Sequence, residues 1–116
     1  MSIKLLLFKS GDQIISDVKE IVQKQGHIMI NQDQNENSDR VHGYLLTQPH
    51  KVSANKPLVL TENVDEQRNV EITLAPWILL TEDKAMTIPK EWVITIVNPI
   101  DSIVKMYQEK INGQSN

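Results

Sequence analysis

The chain has 116 residues, of which 40% are hydrophobic, 23% charged and 4% aromatic, and a formal net charge of -3. That is enough chain for one domain with its own core, the composition is unlike a disordered segment, and the acidic balance excludes a protein that coats nucleic acid through bulk charge. With no cysteine there is no disulfide framework, no thiolate nucleophile and no Cys-ligated metal.

The first element is the apolar run Leu5–Phe8 after Lys4. It is too short for a signal-peptide core or a bilayer span, so a cytoplasmic location without a membrane partner is expected. The polar turn Lys9-Ser10-Gly11-Asp12 follows, with Gly11 suited to a positive φ, which predicts strand, tight turn, strand. In the next strand Ile14, Ser16, Val18, Glu20 and Val22 share one face and Ile15, Asp17, Lys19 and Ile21 the other. Neither face is cleanly apolar, and a strand that changes its buried face usually bends or carries a bulge.

After Gly26 comes the short apolar run Ile28-Met29-Ile30, then a polar loop over 31–40. Val41–Val52 again reads as strand, with Pro49 placing it at an edge or a bend because proline lacks the ladder donor. A second polar loop over 61–69 separates Pro57–Leu60 from a strand over Val70–Leu80. That strand alternates up to Pro76; beyond it Trp77–Leu80, like Trp92–Val97 later, is apolar on both faces. Such strands are expected to be buried twice, by a core on one side and by a helix or another subunit on the other.

Asn98-Pro99-Ile100-Asp101 has the grammar of a helix start: Asn98 as N-cap, Pro99 first, Asp101 in the first turn. Ile100, Ile103, Val104, Tyr107 and Ile111 recur at helical spacing, and Asn112-Gly113 ends the helix. The expected architecture is one mainly β domain over 1–116, with strands across about 3–97 and a C-terminal α-helix at about 99–111.

Catalytic chemistry finds little support. His27, His42 and His50 include no pair at the helical spacing of a zinc motif, no serine sits in a nucleophile elbow, and four glycines form no phosphate loop. No enzyme, cofactor or metal site is expected. One stretch does stand out: from Arg40 to Thr61 there is no acidic residue, while Arg40, His42, Tyr44, His50, Lys51 and Lys56 fall within it. Cations for phosphate and a ring for base stacking are what single-stranded RNA binding uses.

Gly11-x-x-Ile14-x-Ser16-x-Val18-x-x-Ile21 resembles the first sequence motif of the Sm-like (LSm) family, with Ser16 where that family usually has glycine. Tyr44–Pro49, Ala75-Pro76-Trp77 and the stretch from Ile88 to Gly113 resemble small Sm-like proteins of marine phages, particularly cyanophages. The resemblance implies a small, strongly bent antiparallel sheet or barrel of Sm-like (SH3-like) type, in a phage-infected host cell. It also implies a homo-oligomeric ring of roughly five to seven copies with RNA as ligand. Lys24 and His27 join Arg40, His42, Tyr44, His50 and Lys51 as RNA-binding candidates, because the corresponding loop of such rings approaches the pore. Val22 and Gly26 fall near the places of the family's uridine-reading Asp and Asn, and no Arg-Gly pair follows Trp92, so uridine selectivity is not implied. The alternative is a phage structural or adaptor protein that uses the same scaffold for protein contacts.

Overall fold

The computed structural model describes residues 1–24, 27–31, 41–55 and 71–113. Of the loop expected over 31–40, Asn31 instead ends a strand and the rest lies outside these residues, as do the loop over 61–69 and the run Pro57–Leu60. The described elements are β1 (Ile3–Phe8), β2 (Gln13–Lys24), β3 (His27–Asn31), β4 (Val41–Asn55), β5 (Glu71–Pro76) and β6 (Ala85–Pro89). A 3-10 turn, η1 (Lys90–Trp92), leads into β7 (Val93–Val97), and helix α1 (Asp101–Gly113) follows. The strands form one antiparallel sheet in the order β5-β4-β2-β1-β7, with β3 also beside β2 and β6 also beside β4. Among the described residues no helix is long and apolar enough to cross a membrane.

The fold is mainly β and antiparallel with one C-terminal helix, as expected, but the sheet is neither closed into a barrel nor strongly curled: β5 and β7 end the path and do not pair with each other. The reason lies in the two long central strands, which divide their partners along their length. β2 pairs with β1 over Gln13–Asp17 and with β3 over Glu20–Lys24. β4 pairs with β6 over Gly43–Thr47 and with β5 over His50–Asn55. The sheet therefore broadens into separate leaves at its two ends, where closure would need its last strands to meet.

The irregularity expected in β2 is present in its pairing, but the extra residues sit on β4. Ile15 pairs with His50 and Asp17 with Thr47, so Gln48 and Pro49 together face Ser16; a second shift leaves His42 unmatched between Ile21 and Val22. Gln48 has φ 52, a left-handed conformation unusual for a side chain of its size. The added residue reverses the side-chain alternation of β4. Tyr44 and Leu46 consequently pack in one core, whereas Val52 packs in the other and His50 meets the helix. Pro49 is thus at a bend in a central strand, where its missing donor removes little.

The bulge turns backbone carbonyls inward, and buried carbonyls need donors. Tyr107 Oη lies 3.0 Å from both Thr47 O and Gln48 O, and Ser16 Oγ lies 3.0 Å from Thr47 O and from Asp17 O. His50 Nδ1 is 2.9 Å from Gln48 O, so that nitrogen carries the proton. Ser16, fully buried opposite the bulge, satisfies one of the carbonyls that the bulge turns inward.

Two cores result. Leu6, Phe8, Ile14, Val18, Leu46 and Ile88 form the first. Ile15, Leu74, Tyr107 and Ile111 form the second, with Ile103 and Val52 against them, and bind α1 to the sheet. Each fully buried aliphatic side chain contributes about 1.5–3 kcal/mol.

Three expectations need correction here. Trp77–Leu80 is not a strand: Pro76 ends β5, the chain turns, and Leu79 and Leu80 are 74% and 99% exposed. Trp92 belongs to η1, and Ile94 on β7 is exposed, so neither segment is buried twice within this chain. The helix stripe is Ile103, Val104, Tyr107 and Ile111 without Ile100, whose carbonyl accepts the first helical bonds from Ile103 and Val104. Asn98 does not cap the helix; its Oδ1 accepts from Lys4 Nζ.

Burial pushes the Tyr107 phenol up to about 12. An acid whose folded value is raised binds its proton more tightly in the native state, so stability is complete below pH ~10 and falls as pH rises towards ~12. Denaturant midpoints measured across this range should decline by the equivalent of about 2–3 kcal/mol more than those of Tyr107→Phe, which has nothing to titrate there. Parallel pH profiles for the two proteins would contradict the burial of this hydroxyl.

Candidate functional site

The RNA-binding candidates fall on or beside one strand, yet the structure does not bring them together. The backbones of Lys24 and His27 pair at the end of the β2–β3 ladder. Arg40 lies outside the described residues. His42 is exposed and borders a surface groove with Lys90 and Glu91. Tyr44 is half-buried against the first core, shares a second groove with Lys4 and Glu20, and has its phenol pushed up by burial and by the Glu20 charge. Lys51, at the far end of β4 and about 20 Å along the strand from Tyr44, pairs with Asp12 at 3.4 Å.

His50 is only 2% exposed, edge-to-face with Tyr107 at 5.6 Å. Its ring presents no surface to a ligand in this chain, because the bulge at Gln48 turned it under the helix.

A different group of side chains converges. Gly11, at φ 94, closes the β1–β2 turn, with Gly11 N donating to Phe8 O and Phe8 N to Asp12 O, both at 2.9 Å. Lys9 N donates to Trp92 O at 2.8 Å, which fixes η1 beside this turn. Trp77, released from the sheet by Pro76, is held by its own N–H on Pro49 O at 3.0 Å. Phe8 and Trp77 meet edge-to-face, centroids 5.3 Å apart and planes at 84°. Together with Trp92, 50% exposed, they line a cleft of about 330 Å³ whose remaining lining is Lys9, Ser10 and Asp12.

The cleft is built from three distant parts of the chain, and its walls are almost wholly apolar. Its charged lining residues are Lys9 and Asp12, and the Asp12 carboxylate is engaged with Lys51 at 3.4 Å. It offers π faces and a cation but no nucleophile held by a base. No family model matches the chain, and no curated protein matches it. The site therefore stands on its own geometry.

Reading the residues in order assigned Phe8, Trp77 and Trp92 to strands and a core, and so missed this cleft. One signal was present: Pro76 and Pro89 each stop a strand shortly before a tryptophan, leaving an indole beyond a strand end with no ladder to hold it.

Proposed function

We propose that the chain is a non-catalytic, Sm-like module that assembles with copies of itself and binds single-stranded RNA. The supporting observation is the edge of the sheet at β7. This strand ends the sheet path, leaving its outer backbone groups without a strand partner among the described residues, and it exposes Ile94 (61%) and Val97 (47%). An apolar edge of this kind is a template for pairing with another chain. Head-to-tail pairing of such edges closes rings when the rotation between copies allows it. The RNA reading draws on the resemblance and on the combination of aromatic side chains with Lys9 at the β1–β2 turn.

Light scattering at micromolar concentration is expected to give a multiple of the 13.3 kDa chain mass. Ile94→Lys should shift the protein to monomers, since a charge on an edge strand opposes pairing and each buried isoleucine is worth about 1.5–3 kcal/mol per contact. A wild-type monomer under these conditions would refute the assembly.

The second reading, a structural or adaptor protein, is favoured by the exposed tip Ile78-Leu79-Leu80, an apolar knob suited to a protein partner. Nucleic acid co-purifying with the expressed protein, visible in its ultraviolet absorbance ratio, favours the first reading over the second.

A further inference from the structure

We propose that the cleft between Phe8, Trp77 and Trp92 stacks one base of a single-stranded RNA, while Lys9 at its mouth meets the adjoining phosphate. The inference rests on the RNA reading above and adds the place and the mode of recognition. Phe8, 4% exposed in the first core, holds Trp77 edge-to-face, so the half-buried indole of Trp77 is the ring of this pair left to meet a third flat ring. Trp92, half exposed in the same lining, supplies another. The volume, about 330 Å³, admits a single base.

The mouth selects among flat or apolar ligands. A quaternary ammonium group is disfavoured although aromatic rings attract cations, because Lys9 repels a second cation and Asp12 is paired with Lys51 at 3.4 Å. A purely aliphatic peptide side chain would fill the walls and leave the Lys9 ammonium without a role. A nucleotide uses both: its base enters the apolar walls and its phosphate stays in water beside Lys9, as in stacking platforms that track a single strand. Because the walls hold almost no polar atoms, they cannot read the edge of a base. Binding is therefore tolerant of sequence and follows ring area, so adenine stacks at least as well as uracil, the reverse of a uridine-selective site.

Trp77 and Trp92 are the two tryptophans of the chain, so all of its tryptophan emission arises at this cleft. The test titrates the full chain with dye-labelled oligo(A), oligo(U) and an abasic strand of equal length, reading dye anisotropy and tryptophan emission together. Expected are quenching and anisotropy with the same midpoint for oligo(A), equal or weaker affinity for oligo(U), and little quenching by the abasic strand. Trp92→Leu, which keeps apolar bulk, should weaken oligo(A) binding about tenfold, and Trp92→Phe should restore much of it. Both variants are compared only at an unchanged denaturation midpoint, and if Trp92→Leu unfolds, the abasic arm decides alone. Anisotropy that rises without quenching, or equal quenching by the abasic strand, would overturn the base site while leaving RNA binding intact. No anisotropy change with any strand would remove the RNA reading itself, and quenching by a proline-rich peptide alone would assign the cleft to a protein partner.

Discussion

Tyr107→Ala is expected to destabilise the fold by about 3–5 kcal/mol, the range for removing a large ring from a closed core. The ring is fully buried between α1 and the sheet and packs with Ile15, Leu74 and Ile111. Its hydroxyl also reaches Thr47 O and Gln48 O, the two carbonyls that the bulge turns inward. The truncation therefore leaves a cavity and strips a buried donor from carbonyls that already depend on side chains. Tyr107→Phe separates the two contributions: it keeps the ring and should cost about 1–3 kcal/mol for the lost hydrogen bonds alone. Urea denaturation of the three proteins gives both numbers, and a Tyr107→Ala midpoint close to wild type would mean that α1 contributes little to the cooperative unit.

The second large effect is expected at Gly43, for a reason of space. In β4 it stands opposite Ile21 on one side and Pro89 on the other. A Cβ built there runs into the carbonyl oxygen of Ile88, an atom of the β6 backbone that no rotamer change can move. Gly43→Ala must therefore push β6 away from β4, and β6 brings Ile88 into the first core. Overpacking typically costs 1–3 kcal/mol, and a clash with backbone belongs at the upper end, about 3 kcal/mol. Gly43→Val should be worse. A thermal or urea midpoint for Gly43→Ala within error of wild type would show that β6 yields freely.

Local chemistry made some of this fold legible. Gly11 announced the β1–β2 turn, and Ile103, Val104, Tyr107 and Ile111 announced a helix whose observed start, Asp101, lies two residues from the expected one. Pro49 announced a bend. What local reading missed depends on register, which emerges only when strands are paired. A period of two places His50 and Leu46 on the same face, and only the residue added at Gln48 separates them. For the same reason the acid-free stretch read as one patch, although in the sheet His42, Tyr44 and Lys51 open onto different surroundings. The strand β6 went unread because Ala85–Pro89 is short and bracketed by turn residues. The aromatic cleft needs contacts among residues 8, 77 and 92, which no sequence period connects.

The bulge at Gln48 also sets how this chain tolerates change in length. On either side of it β4 is read in a different phase: before it, even-numbered positions supply the first core, and after it, even-numbered positions supply the core beneath the helix. A substitution at position 48 alters one side chain, whereas loss of that residue would leave Pro49 alone opposite Ser16, so the ladder would run through without a bulge while His50 kept its place opposite Ile15. His50 and Val52 would stay on the face of the second core, but Gln48 O would be gone and Thr47 O no longer turned inward, leaving the Tyr107 and Ser16 hydroxyls without their buried acceptors. In β4, therefore, the count of residues between Leu46 and His50 is under tighter physical constraint than the identity of Gln48 itself.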